Sequence, residues 1–167
     1  SNATIDSNNG LNTTVADNEF RNYTSNAVVD LNPGDTAGNI ETTTIDNNVF
    51  SEGIDADAID IGLGASNHNN DEVVITENDI TLASGVDGVD TSNVDNNIDL
   101  TIGSGNIIKG QENDATGVNV DTDIGGDLLV RGTTINATDV GIVSSASSGE
   151  TNISNVDITN LGQGSRD

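Results

Sequence analysis

The chain contains 167 residues, with 28 acidic against four basic side chains and a formal net charge of -24. Hydrophobic residues make up 32% of it and aromatic residues 2%, and Trp, Met and Cys are absent. This composition excludes disulfides, thiolate metal sites and a wide aromatic-rich core, and the negative field opposes binding to nucleic acid or to an anionic membrane surface. Low hydrophobicity with high charge is also typical of disordered chains. A fold is therefore predicted only if the apolar residues recur in a regular pattern.

The first three residues, Ser1, Asn2 and Ala3, look like the remnant of a protease-cleaved expression tag and are left out of the fold argument. Residues 4–167 have a length suited to one domain with one contiguous core. We expect this domain to be a fragment of a longer protein that continues at the C-terminal end. No apolar run reaches the length that a membrane span needs, so we expect no membrane insertion by this segment.

An internal repeat decides the fold. In chain order, each repeat begins with an apolar position that recurs at offsets of 30, 30, 27, 28 and 23 residues. The members of this first column are Val15, Ile45, Ile75, Ile102, Val130 and Ile153. Apolar neighbours two residues away, such as Val73 beside Ile75, give the period of a β-strand with one face inward.

A second apolar column follows the first after five residues, or six in one repeat. Its members are Phe20, Phe50, Ile80, Ile108, Ile135 and Ile158. Because a spacing of five puts two side chains on opposite faces of a straight strand, both point inward only if the chain bends between them.

The bend is predicted two residues before the second column, where four repeats carry asparagine: Asn18, Asn48, Asn78 and Asn106. Asn tolerates the left-handed backbone conformation of a tight corner, and stacked Asn side chains can form a hydrogen-bonded ladder. Thr133 and Val156 occupy the position in the last two repeats, so the ladder is predicted to end before them.

A third column completes each repeat with Val29, Ile59, Val89, Val118 and Ile142, at offsets of 30, 30, 29 and 24 residues. The three columns lengthen and shorten together, as expected if each repeat is one coil whose loops vary while its strands stay in register. The sequence therefore predicts an all-β, right-handed parallel β-helix, a solenoid of about five to six rungs. An antiparallel sandwich of short strands is the alternative, but hairpins would not keep a corner Asn in phase.

In these segments the chain resembles the parallel β-helix repeat family, the pectate-lyase-like solenoids. Residues 15–20, 45–50 and 75–80 carry the resemblance, together with residues 58–61 and 117–120. It covers nearly all of the chain after the tag remnant and implies the solenoid fold. It implies little about function, because that family includes lyases, hydrolases, epimerases, phage tailspikes and surface adhesins.

Acidic side chains supply the candidate metal ligands. The period of two in the third column turns Asp30, Asp60 and Asp90 outward on consecutive rungs, where their mutual repulsion would be relieved by a cation. Calcium suits such a site because it accepts several carboxylate oxygens in flexible geometry. A second candidate calcium site is the acidic loop with Asp121, Asp123 and Asp127. For both, the alternative is a solvated acidic face with diffuse counterions.

Cleavage of an acidic polysaccharide is the enzymatic alternative that the resemblance implies. Asp87 and Asp114 lie one rung apart and loosely match the acidic residues of polygalacturonase-like members, but no Gly-His-Gly or Arg-x-Lys segment follows them. The single histidine, His68, lies in an Asn-rich loop, and the basic residues Lys109 and Arg131 lie in different columns. We therefore predict no catalytic residues in this segment.

The sequence thus favours a non-catalytic structural or adhesive β-helix segment of a secreted or cell-surface protein. Carbohydrate, another surface ligand or calcium is the expected ligand, and the expected location is extracellular or at the cell surface. A fragment of a polysaccharide lyase or hydrolase acting on acidic sugars is the alternative.

Overall fold

The computed structural model describes residues 5–8, 12–23, 27–32, 42–51, 56–62, 69–92, 97–110, 115–120, 124–136, 139–145 and 149–159. Within these ranges the chain forms 18 β-strands and no helix, and the strands make three parallel six-stranded sheets. Each sheet takes every third strand, so the chain coils around one shared interior. The predicted all-β parallel solenoid is confirmed, whereas its right-handedness stays a prediction. This part of the chain also has no long apolar helix of the kind that crosses a membrane.

The three sheets are named by their strands. Sheet A contains β1 (Ile5–Asn8), β4 (Val29–Asn32), β7 (Ile59–Gly62), β10 (Asp87–Ser92), β13 (Thr116–Val120) and β16 (Val140–Ser144). Sheet B contains β2 (Thr13–Ala16), β5 (Thr42–Asp46), β8 (Asn69–Thr76), β11 (Asn97–Ile102), β14 (Gly125–Arg131) and β17 (Thr151–Ser154). Sheet C contains β3 (Glu19–Phe20), β6 (Val49–Phe50), β9 (Asp79–Leu82), β12 (Ile107–Gly110), β15 (Thr134–Asn136) and β18 (Asp157–Thr159).

The strand registers reproduce the three apolar columns residue by residue. The first column runs along sheet B, where Ile75 pairs with Ile45 on one side and Ile102 on the other. The second runs along sheet C and the third along sheet A. In sheet A, Ile5 pairs with Val29 and adds a member that the sequence pattern did not include.

The interior is a narrow stack of Val, Ile and Leu side chains with few aromatic groups. Alternate residues of each strand point inward, as in β5, where Thr43 and Ile45 are buried and their neighbours are partly exposed. The rings of Phe20 and Phe50 stack with centroids 4.9 Å apart. Burying each Val, Ile or Leu side chain stabilises the fold by about 1.5–3 kcal/mol, so the columns are its main source of stability.

The core is less well covered in the coil of the last described strands. Ile153 is 46% exposed and Ile158 is 39% exposed, whereas their column neighbours Val130 and Ile135 are fully buried. In the part of the chain that the structure describes, no helix packs over these two isoleucines.

The corner between sheets B and C differs from the prediction in one respect. The left-handed residues are Asp17, Asn47 and Glu77, glycine in the next two coils, and Asn155 in the last, all with positive φ angles. The assignment of that conformation to Asn18, Asn48, Asn78 and Asn106 was therefore wrong by one position. The exposed residue before each of these asparagines turns the backbone, because the asparagine side chain is needed for hydrogen bonds along the stack.

Candidate functional site

The corner asparagines form a continuous ladder of hydrogen bonds. Asn48 donates from its backbone N and its Nδ2 to Oδ1 of Asn78, both at 3.0 Å. Asn18 makes the same two bonds to Asn48, each at 3.0 Å, and Asn78 makes them to Asn106 at 3.0 and 3.1 Å. One side-chain oxygen therefore accepts two N–H groups from the preceding coil.

The amide nitrogens of the ladder also hold the backbone of neighbouring segments. Nδ2 of Asn78 donates to the carbonyl oxygens of Ile45 at 3.0 Å and Thr76 at 2.7 Å. In the coil after Asn106, Thr133 takes the corner position and donates from its Oγ1 to the carbonyl oxygen of Gly103 at 3.0 Å. Asn48, Asn78 and Asn106 are buried and fully engaged with protein partners, so the ladder is a structural element.

The candidate calcium ligands Asp30, Asp60 and Asp90 lie side by side on β4, β7 and β10 of sheet A. All three are half-buried. The column continues to Asn119 on β13, whose Nδ2 donates to Oδ1 of Asp90 at 3.0 Å. The same Nδ2 donates to Oδ2 of Asp87 at 3.0 Å, so one amide links two carboxylates. The sequence pattern missed Asn119, although it lies one position after Val118 of the third column.

The described residues contain no group of three or more Asp, Glu, His or Cys side chains that could hold a metal ion. Asp121 and Asp123 of the second candidate site lie outside the described residues, as do Asp114 and His68. Asp127 lies on β14 of sheet B and therefore not on the sheet of the Asp30 column. Calcium binding at either place stays a prediction.

The surroundings of Asp57 change its titration. Its Oδ1 accepts the backbone N–H of Asp87 at 2.7 Å, one coil further along the stack. Burial raises the pKa of Asp57, the Asp87 N–H opposes this increase, and the Asp87 carboxylate adds to it. The carboxyl group therefore keeps its proton to a higher pH than an ordinary aspartate.

A concave surface lies on the outer face of sheet B and has a volume of about 320 Å³. It is lined by Glu72, Asp99, Thr101, Asp127, Leu128, Leu129, Glu150 and Asn152. We call this surface the sheet B groove. Thr101 pairs with Leu129, and Leu129 pairs with Asn152, so these side chains form one row along three strands.

A row of carboxylates runs beside the row of Thr101. Oδ1 of Asp99 accepts the backbone N–H of Asp127 at 2.9 Å, and Oδ1 of Asp127 accepts the N–H of Glu150 at 2.8 Å. Glu72 pairs with Asp99 at the other end of the row. Each aspartate thus binds the next coil through one oxygen, which fixes the orientation of its carboxylate.

The sequence contains a signal for this row that the pattern search did not use. Glu72, Asp99, Asp127 and Glu150 each lie three residues before a member of the first column. Asn12 and Thr42 hold the same position in the first two coils, and Oδ1 of Asn12 accepts the N–H of Thr42 at 3.1 Å. With 28 acidic residues in the chain, this recurrence did not stand out from the surrounding acidity.

Among the residues that the structure describes, no basic side chain lines the sheet B groove. Lys109 lies on sheet C, where its Nζ contacts Oδ1 and Oδ2 of Asp79 at 2.8 and 3.1 Å. Arg21 forms an ion pair with Glu19 at the start of sheet C. Because like charges repel, an anionic ligand would be disfavoured in the groove, whereas hydroxyl groups and cations would find hydrogen-bond acceptors and negative charge.

Comparison with known proteins gives no relative: no family model, no curated protein and no solved structure matches the chain. The parallel solenoid is therefore established by the strand pairing alone. The resemblance to pectate-lyase-like solenoids stays a prediction.

Proposed function

We propose that this chain is a non-catalytic structural and adhesive β-helix segment of a secreted or cell-surface protein, and that its sheet B groove binds a neutral carbohydrate. The observation that carries the proposal is the lining of the groove. Its described residues combine oriented carboxylates at Asp99 and Asp127, polar Thr101 and Asn152, and apolar Leu129, and none of them is basic. Carboxylate and amide oxygens accept hydrogen bonds from sugar hydroxyls, and a leucine packs against sugar C–H groups.

The structural part of the proposal is supported by the continuity of the stack. Six strands per sheet at about 4.8 Å spacing extend over roughly 24 Å, and the asparagine ladder ties successive coils together. Such a stack is a rigid spacer that presents flat rows of side chains. A kinship with the pectate-lyase-like solenoids and an extracellular or cell-surface location belong to the same proposal. The repeated parallel strands support the kinship, and the strong acidity is compatible with the location.

Binding is tested by titration calorimetry with neutral cello-, xylo- and manno-oligosaccharides and with oligogalacturonate, at constant ionic strength. We expect at least one neutral series to bind with a Kd of about 1 mM or tighter. The double variant Thr101→Ala, Leu129→Ala should weaken this binding at least fivefold. Val49→Ala is the matched control, because Val49 is an exposed apolar residue on sheet C. Binding of oligogalacturonate alone, or of no neutral sugar, would overturn the proposal.

The enzymatic alternative is a fragment of a lyase or hydrolase that acts on acidic sugars. Its substrate would meet the carboxylates of Asp99 and Asp127, and no described residue of the groove is basic. We therefore expect polygalacturonate incubated with the protein, with and without calcium, to release neither reducing ends nor unsaturated products. Release above background would favour the alternative.

A further inference from the structure

Asp57 lies in a segment that is hydrogen-bonded to the coils on both sides. Its carbonyl oxygen accepts the N–H of Val28 at 3.0 Å, and the N–H of Ala58 donates to the carbonyl of Asp87 at 3.0 Å. The flanking residues Ala56 and Ala58 are buried. With its Oδ1 bound to the N–H of Asp87, the carboxyl group is held at the contact between the coils of β7 and β10.

The charges around this contact are negative. Asp87 is next to Asp57 along the stack, and the same outer face carries Asp30, Asp60 and Asp90 on β4, β7 and β10. The described strands of sheet A contain no Lys, Arg or His. The neutral amide of Asn119 donates to this cluster and is shared by Asp87 and Asp90.

The described strands of sheet C add no unpaired Lys, Arg or His to the cluster. Strand β9 contacts β10, and β12 contacts β13, where sheet C meets sheet A. The charged residues of β9 and β12, Asp79 and Lys109, pair with each other. A proton on Asp57 removes its repulsion with Asp87 and leaves the hydrogen bond from the Asp87 N–H in place.

We infer that the contact between the coils of β7 and β10 is strengthened by acid: Asp57 binds a proton in mildly acidic surroundings, and the solenoid becomes more stable there than at neutral pH. The direction follows from linkage. Because the folded state holds this proton more tightly than the unfolded state does, unfolding releases it, and stability falls as the pH rises through the folded pKa. The contribution is fully present only below the ordinary pKa of aspartate.

The experiment is thermal melting of the whole chain between about pH 4 and pH 8 at constant ionic strength, with wild type, Asp57→Asn and Asp99→Asn. Asn keeps the acceptor oxygen for the N–H of Asp87 and removes the charge. At pH 7.5 we expect Asp57→Asn to melt on the order of 2 °C above wild type, and this difference to vanish towards pH 4. Asp99→Asn is the matched control, because its Oδ1 also accepts an N–H from the next coil but its side chain is exposed.

Equal pH slopes for wild type and Asp57→Asn would overturn the inference, and so would an equal loss of slope in Asp99→Asn. A carbon NMR titration of the wild-type carboxyl groups gives a second readout that does not depend on the variants folding. The midpoint of Asp57 should lie above the ordinary value of an aspartate, and a midpoint at or below that value would also overturn the inference.

Discussion

Oδ1 of Asn106 accepts two hydrogen bonds from Asn78, one from the backbone N at 3.0 Å and one from Nδ2 at 3.1 Å. The same arrangement joins Asn48 to Asn78. Each buried amide thus satisfies donors of the coil before it and is itself satisfied by the coil after it. Because unpaired buried donors are costly, removing one asparagine affects three coils at once.

We therefore predict that Asn78→Ala lowers the free energy of unfolding by about 3–5 kcal/mol. The variant loses the Nδ2 bonds to Ile45 and Thr76. It also removes the acceptor of the Asn48 backbone N–H and one of the three acceptors of Asn48 Nδ2. Urea denaturation measures the loss. Asn18→Ala is the matched control. Because Asn18 is exposed, its replacement should lower the free energy of unfolding by only about 1 kcal/mol. Equal losses in the two variants would contradict the structural role of the ladder.

A close approach between glycines gives a second prediction. A Cβ atom added to Gly88 would lie 2.5 Å from the carbonyl oxygen of Gly117, and one added to Gly117 would lie 2.6 Å from that of Gly141. Because backbone atoms cannot move away as a flexible side chain can, Gly88→Ala should lower the free energy of unfolding by about 3 kcal/mol. Denaturant unfolding checks this value.

The control for Gly88 is Gly85. Its φ is +75°, but nothing lies within 4 Å of the added Cβ atom. Gly85→Ala should therefore cost only the strain of a left-handed alanine, about 1 kcal/mol. If Gly85→Ala proved more harmful than Gly88→Ala, crowding between coils would not explain these glycines.

The columns also predict unequal costs for the same substitution at two equivalent positions. Ile75 is fully buried, whereas Ile153 in the same column is 46% exposed. Ile75→Ala should destabilise by about 3–4 kcal/mol, and Ile153→Ala by about 1 kcal/mol. Denaturant unfolding measures both losses. They can be compared directly if the free energy of unfolding falls with denaturant at the same slope in both variants. A large loss for Ile153→Ala would mean that another part of the protein covers this residue in solution.

The strand register was predictable because a shift of one residue would turn an apolar column outward. The pairing of Ile45 with Ile75 and of Phe50 with Ile80 follows from that constraint alone. The different exposure of Ile75 and Ile153 was not predictable, since the two residues are identical and only the packing of neighbouring coils distinguishes them.

The corner between sheets B and C and the contacts of Asn119 on sheet A show which features residue type alone does not determine. The left-handed position is held by Asp17, Asn47 and Glu77, which share exposure but no common side chain, so composition alone points to the wrong residue. The link that Asn119 makes between Asp87 and Asp90 depends on the direction of one amide group. Pattern analysis gives the position of a residue on a face, and such contacts also need its rotamer and neighbours.

The last prediction concerns calcium and the column of Asp30, Asp60 and Asp90. Their strands are adjacent, so the carboxylates are neighbours along sheet A. At about 5 Å, two unit charges repel by about 0.8 kcal/mol in bulk water and about 3 kcal/mol at an effective dielectric constant of 20. A calcium ion that binds the folded chain alone would relieve this repulsion and raise the melting temperature by mass action.

We expect millimolar calcium, compared with chelator at constant ionic strength, to raise the Tm of wild type by on the order of 2–4 °C. Asp60→Asn should reduce this increase, because it removes the middle carboxylate of the column. Asp157→Asn is the control with the same change of charge, since Asp157 is exposed on β18 of sheet C, and it should keep the full increase. An unchanged Tm of wild type would rule out calcium stabilisation. An increase that persists undiminished in Asp60→Asn would exclude the Asp30 column and leave the loop with Asp121, Asp123 and Asp127 as the candidate.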